Sequence, residues 1–171
     1  MLTITLSFLD RIFRGLLASL IGLMVLCVTW QIFSRYFLGD PSKWTEELAR
    51  FLLIWIGLLG GSYAYHMKMH LGLDLLSGKL KGPAKRIHEI SIHLLVILFS
   101  STVLIVGGLR IVQMTAELKQ YSAALGVPMS VVYISLPVSG VMLVIYALIA
   151  IAEVIANKDI SATKTTLELG S

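Results

Sequence analysis

Cysteine and charge are the scarce ingredients of this 171-residue chain. The single cysteine, Cys27, permits no intrachain disulfide and no cysteine-based metal site. Only 14% of the residues are charged, whereas a soluble domain carries about a quarter. Four stretches lack Asp, Glu, Lys and Arg altogether: residues 15–34, 51–65, 90–109 and 131–152. Ionisable groups in mid-membrane are costly and mark substrate or proton pathways, so their absence argues against a self-sufficient transporter or channel. No Gly-rich phosphate loop and no Ser/His/Asp grouping of useful spacing occurs, and we expect no enzyme. The net charge of +4 is no nucleic-acid signal, because its placement along the chain accounts for it.

What is present is apolar: 57% of the residues are hydrophobic. About 20 apolar residues cross a bilayer core as a helix, and lipid tolerates only helices or closed barrels. The runs are continuous rather than alternating, which excludes a barrel. The predicted fold class is therefore an all-α membrane protein, with four transmembrane helices at about 15–37, 48–66, 87–109 and 129–155. The first run is too long for a signal peptide's apolar core and lacks a small-x-small cleavage site, so it is expected to be retained. With a cytoplasmic N-terminus, the inner segments hold Arg11, Arg14, Lys68, Lys79, Lys81, Lys85, Arg86, Lys158 and Lys164. The outer segments hold only Arg35, Lys43, Arg50, Arg110 and Lys119. That bias predicts that both termini are cytoplasmic.

Short amphipathic helices are expected in the interface, at about 3–14, 41–50, 67–77 and 110–120. Together with the spans they make one membrane domain, 1–156, followed by a flexible cytoplasmic tail, 157–171. The connector of residues 34–50 is the richest of these segments. Trp44, Leu48 and Phe51 recur at helical spacing, as do Lys43, Glu46, Glu47 and Arg50 on another side. Asp40 and Pro41 suit an N-cap and a first helical position, Trp44 suits the headgroup level, and Glu46 and Arg50 are placed to pair. The cluster of Arg35, Trp44, Glu46, Glu47 and Arg50 has two readings: it anchors to lipid phosphates and pairs within itself, or it clamps the first two helices and meets charges on a partner. Which of Glu46 and Glu47 turns inward stays open.

Gly57 and Gly61 form a G-x-x-x-G spacing suited to close helix packing. Lys79, Lys81, Lys85 and Arg86 lie in the most basic and loop-like stretch, which fits anionic lipid headgroups. A b-type haem would need histidines facing each other from two helices within the membrane. His66 and His70 lie at a helix end and His88 and His93 at a helix start, so interfacial hydrogen bonding is the better account. No metal or other cofactor is expected.

The ordered set Gln31, Arg35, Tyr36, Trp44, Glu46, Glu47, Leu48, Arg50, Gly57, Gly60, His70, Leu71, Leu73 and Asp74 resembles the signature of a known family. It is that of the small membrane subunit of tripartite ATP-independent periplasmic (TRAP) transporters, the DctQ-like family. Pro128, Tyr133 and Pro137 resemble the family's approach to its fourth helix, and the similarity runs over roughly residues 9–155. The resemblance implies a bacterial inner-membrane scaffold subunit that carries no substrate itself. Its partners would be a large multi-spanning TRAP membrane subunit, a periplasmic substrate-binding protein and membrane lipids, importing an organic acid such as sialic acid or a dicarboxylate on a sodium gradient. It also makes Arg35, Trp44, Glu46, Glu47, Arg50, Gly57, Gly61, His70 and Asp74 candidates for the partner interface. A self-assembling four-helix transporter or a haem-bearing membrane anchor is the alternative.

Overall fold

A computed structural model describes the backbone of residues 2–39, 42–67 and 83–169, and the side chains of 11–39, 42–67 and 86–155. Helix α1 (Leu2–Phe33) runs into π-helical turns at Ser34–Leu38, and α2 spans Lys43–His66. Helix α3 (Pro83–Phe99) continues through π-helical turns at Ser100–Gly107 into α4 (Gly108–Glu117). Short α5 (Met129–Tyr133) leads into α6 (Ser135–Leu169). Four of the described stretches are long and apolar enough to cross a membrane: Arg11–Leu38, Lys43–His66, Arg86–Glu117 and Met129–Ile155. They are called the first to fourth spans below.

The amphipathic stretches among the described residues are helical, but they continue the spans rather than standing apart. The connector joins the second span in one helix, Lys43–His66, and the stretch after the third span extends it to Glu117. Residues 3–14 likewise belong to α1, and the expected tail is helical to Leu169. Once a helix is nucleated, each further residue adds a hydrogen bond, and no proline interrupts these junctions. The expected helix 67–77 lies almost wholly outside the described residues.

The spans form a row rather than a closed bundle. Among the described residues the first span packs on the second, the second also on the fourth, and the third on the fourth. A shared core links the row through Leu17, Leu59, Tyr65, Met142, Tyr146 and Ala147. At the end where the second span finishes and the third begins, the Tyr65 hydroxyl and His93 Nδ1 share a 2.5 Å hydrogen bond. Close approach is greatest where the third and fourth spans cross. A Cβ on Gly140 would stand 2.8 Å from Leu104 Cβ, and one on Gly108 would stand 2.9 Å from Leu136 Cβ. Small residues permit such approach where lipid supplies no hydrophobic drive between helices.

Both broad sides of the row are apolar: Leu26, Leu53, Leu95 and Leu148 are each more than half exposed. Of the hydroxyls along the spans, buried Ser100 Oγ has no hydrogen-bond partner among the described residues, and several others bond back to their own span. Thr29 donates to the Val25 carbonyl at 2.8 Å and Thr102 to Leu98 at 2.7 Å, while buried Ser135 and Ser139 donate to Val132 and Leu136 at 2.8 Å. A surface this apolar belongs in a bilayer or against a partner, not in water. The chain is an integral membrane protein.

Candidate functional site at the connector end

The first span ends in π-helical turns that stop at Gly39, whose φ of +71° is a left-handed conformation natural to glycine. The chain then turns back into the second span. The expectation of an N-cap at Asp40 is corrected by the helix start: α2 begins at Lys43, and Ser42, with extended backbone (ψ 102°), holds the cap position. Positions 40 and 41 themselves lie outside the described residues. The turn is fastened by buried Ser34, whose Oγ accepts the Ser42 N–H at 3.2 Å and donates to the Gln31 carbonyl at 3.2 Å. Thr45, fully buried, donates to the Ser42 carbonyl at 2.9 Å.

The two neighbouring carboxylates part company here. Glu46 pairs with Arg50 one turn further along, in an exposed ion pair. Glu47 turns the other way, to the loop joining the third and fourth spans. Its Oε1 accepts the Ala123 N–H at 3.2 Å, and its Oε2 accepts those of Ala124 at 2.8 Å and Leu125 at 3.0 Å. The Ser122 hydroxyl oxygen also accepts the Leu125 N–H, at 3.2 Å. Successive backbone N–H groups in a turn make an anion-binding concavity, and Glu47 fills one from a distant helix. The loop is tight in its own right: Ser122 N–H reaches the Val127 carbonyl at 2.9 Å, and Met129 N–H reaches that of Gln120 at 2.9 Å. Lys119 (φ +47°) and Gly126 (φ +66°) supply its left-handed corners. Glu47 thus ties the second span to the loop between the third and fourth, bracing the row at one end.

Arg35 and Trp44 stay exposed at this end. An aromatic ladder stands beside them, with Phe33 and Phe37 stacked at 4.7 Å and Trp30 tilted against Phe33 at 5.9 Å. Gly57 and Gly61 face open space, while a Cβ on Gly60 would stand 3.9 Å from Leu17 Cδ2 of the first span. Among the described residues, the close helix contact expected of Gly57 and Gly61 is therefore not made; Gly108 and Gly140 make one instead. His70, Asp74, Lys79 and Lys81 lie outside the described residues, as does the side chain of Lys85. Arg86 is half-buried at the head of the third span.

Three features escaped the sequence reading. The Glu47–loop contact joins residues more than 75 positions apart, and only the small run Ser122-Ala123-Ala124 before Gly126 hints at a tight turn. The Tyr65–His93 link and the stacking of His66 on Tyr146 at 4.4 Å also join separate helices. His66 and His93, two of the four histidines weighed for a haem, thus lie against tyrosines. Among the described residues, no group of three or more His, Cys, Asp or Glu could hold a metal ion.

The family model described as "Tripartite ATP-independent periplasmic transporters, DctQ component" matches residues 24–157 of this sequence. The chain belongs to this family. This TRAP small permease component is 35% identical over 125 residues to the sialic acid TRAP transporter small permease protein SiaQ of Vibrio cholerae, covering 73% of this chain and 70% of the relative. It is 30% identical over 142 residues to the isethionate TRAP transporter permease protein DctMQ of Oleidesulfovibrio alaskensis, covering 78% of this chain but 22% of that longer protein. A C4-dicarboxylate TRAP transporter small permease protein of Vibrio cholerae is 31% identical over 70 residues, 41% of this chain and 30% of the relative. The connector from Arg35 to Arg50 and the loop that Glu47 caps both fall inside the matched region.

Proposed function

We propose that this chain is the fixed, non-transporting subunit of a sodium-coupled TRAP transporter that imports an organic acid, a sugar acid such as sialic acid or a dicarboxylate. It would hold a large membrane subunit in the bacterial inner membrane and meet a periplasmic substrate-binding protein at the connector end, with both termini cytoplasmic. The observation that carries the reading is the row itself. Four spans without Asp, Glu, Lys or Arg in their middles stand side by side, cross-braced at the connector end by Glu47 and at the other by Tyr65–His93. Such a row offers two broad apolar sides and no ionisable mid-membrane group to carry a substrate or ion. It is a shape for bracing a moving neighbour. The DctMQ relative supports the same reading, since this chain covers 22% of a longer permease protein.

Reconstitution tests it. Vesicles holding this chain alone, with a sodium gradient, the binding protein and labelled sialic acid or succinate, should show no uptake. Vesicles holding it with the large subunit should accumulate one of the two. Uptake by this chain alone overturns the proposal.

A further inference from the structure

Between the first and second spans, at the connector end, an open-sided cleft of about 240 Å³ is unfilled by the chain. Met24, Val28 and Leu53 form its apolar floor, and Gln31, Glu46 and Arg50 its polar rim. The face of the second span that bears Glu46, Arg50 and Leu53 continues at helical spacing to Gly57 and Gly61. A Cβ added at either glycine would touch nothing within 4 Å. From the cleft, this open face of the second span runs toward mid-membrane, and cleft and face together are called the furrow below. From Arg50 to Gly61 is eleven residues of helix, about 16 Å at the α-helical rise, which matches half of a roughly 30 Å hydrocarbon core.

The rim is chemically specific. Glu46 and Arg50 are paired and still 48% and 69% exposed, so a cation and an anion sit side by side at the mouth of an apolar furrow. A guanidinium is suited to phosphate, and a carboxylate beside it to an ammonium group. The Gln31 side chain lines the same cleft, and its amide can donate to an ester carbonyl. A purely anionic headgroup would meet Arg50 only against repulsion from Glu46. We infer that this furrow holds one zwitterionic phospholipid with a primary-ammonium headgroup. Its phosphate lies on Arg50, its ammonium on Glu46, and an acyl chain along Leu53, Gly57 and Gly61. The inference does not depend on the proposed transport role.

The test is native mass spectrometry of the full chain, extracted from nanodiscs made of equal parts phosphatidylethanolamine and phosphatidylglycerol. The wild type should retain one phosphatidylethanolamine, at least about fivefold over phosphatidylglycerol. Gly57→Leu, which fills the furrow, and Arg50→Gln should each cut that retention about fivefold or more. Glu46→Gln should erase the preference between the two lipids, and Leu95→Ala on the third span should change nothing. Circular dichroism of each variant checks the fold. Equal retention of both lipids by the wild type, or undiminished retention by Gly57→Leu, overturns the inference. So does a result in which Gly57→Leu and Arg50→Gln release a co-purifying protein while the bound lipid stays, because the furrow would then seat a partner helix.

Discussion

Gly140→Ala is the sharpest perturbation of the row. The new Cβ would lie 2.8 Å from Leu104 Cβ and 2.9 Å from Ile105 Cγ1, whereas ordinary contact is 3.4–4 Å. The third and fourth spans must therefore separate by about 0.6 Å at their crossing to reach the near edge of that range. Leu104 Cβ is fixed to its backbone and cannot swing aside. Overpacking of this kind costs about 1–3 kcal/mol, while Ala over Gly in a helix returns up to about 1 kcal/mol. Gly57→Ala gains the same helix propensity and meets nothing. The difference between the two variants thus isolates the overpacking, about 1–3 kcal/mol, or roughly 5- to 150-fold in the folding equilibrium. Unfolding in mixed micelles, followed by far-UV circular dichroism, measures it. Gly140→Ala and Gly57→Ala agreeing within about 0.5 kcal/mol would refute the assignment of the close crossing to Gly140.

Other parts of the brace are separately testable. Glu47→Ala should speed hydrogen exchange at the Ala123, Ala124 and Leu125 amides and lower uptake by the assembled transporter; unchanged exchange would mean that the loop holds itself without Glu47. Ser34→Ala should destabilise the hairpin by about 1 kcal/mol, since it leaves the Ser42 N–H unbonded, and equal unfolding midpoints for mutant and wild type would contradict that. Tyr65→Phe should cost about 1–3 kcal/mol by stripping a partner from the half-buried His93, with a matching change in the His93 imidazole resonances by NMR. Resonances that do not move would show that the pair is not formed in solution.

The fold was legible because the bilayer reduces the problem to counting. Four charge-free runs, three of them 20 residues or longer and so of bilayer length, leave few arrangements, and the amphipathic stretches that the structure describes are helical as their periodicity suggests. What could not be read was continuity. The Lys43–Arg50 stretch has the charge pattern of a surface helix, yet nothing between Arg50 and Phe51 breaks it, so it runs on as the second span. Pairings across helices were equally hidden. Glu46 and Glu47 are adjacent and chemically alike, and only the third dimension sends one to Arg50 and the other to the loop at Ala123–Leu125. The glycines mislead in the same way. Gly57 and Gly61 have the spacing of a packing motif but face open space, while Gly108 and Gly140, 32 positions apart, meet the neighbouring span because a crossing point depends on the tilt of two helices. One sequence carries the small residue but not its neighbour.

The central claim is that this chain braces a larger membrane partner and moves nothing alone. Its most direct measurement is gentle detergent extraction of the tagged chain from its native membrane, followed by mass spectrometry of the captured proteins and an intact mass of the complex. The account predicts a stoichiometric partner with roughly a dozen hydrophobic spans. A homo-oligomer of this chain with no partner would contradict it.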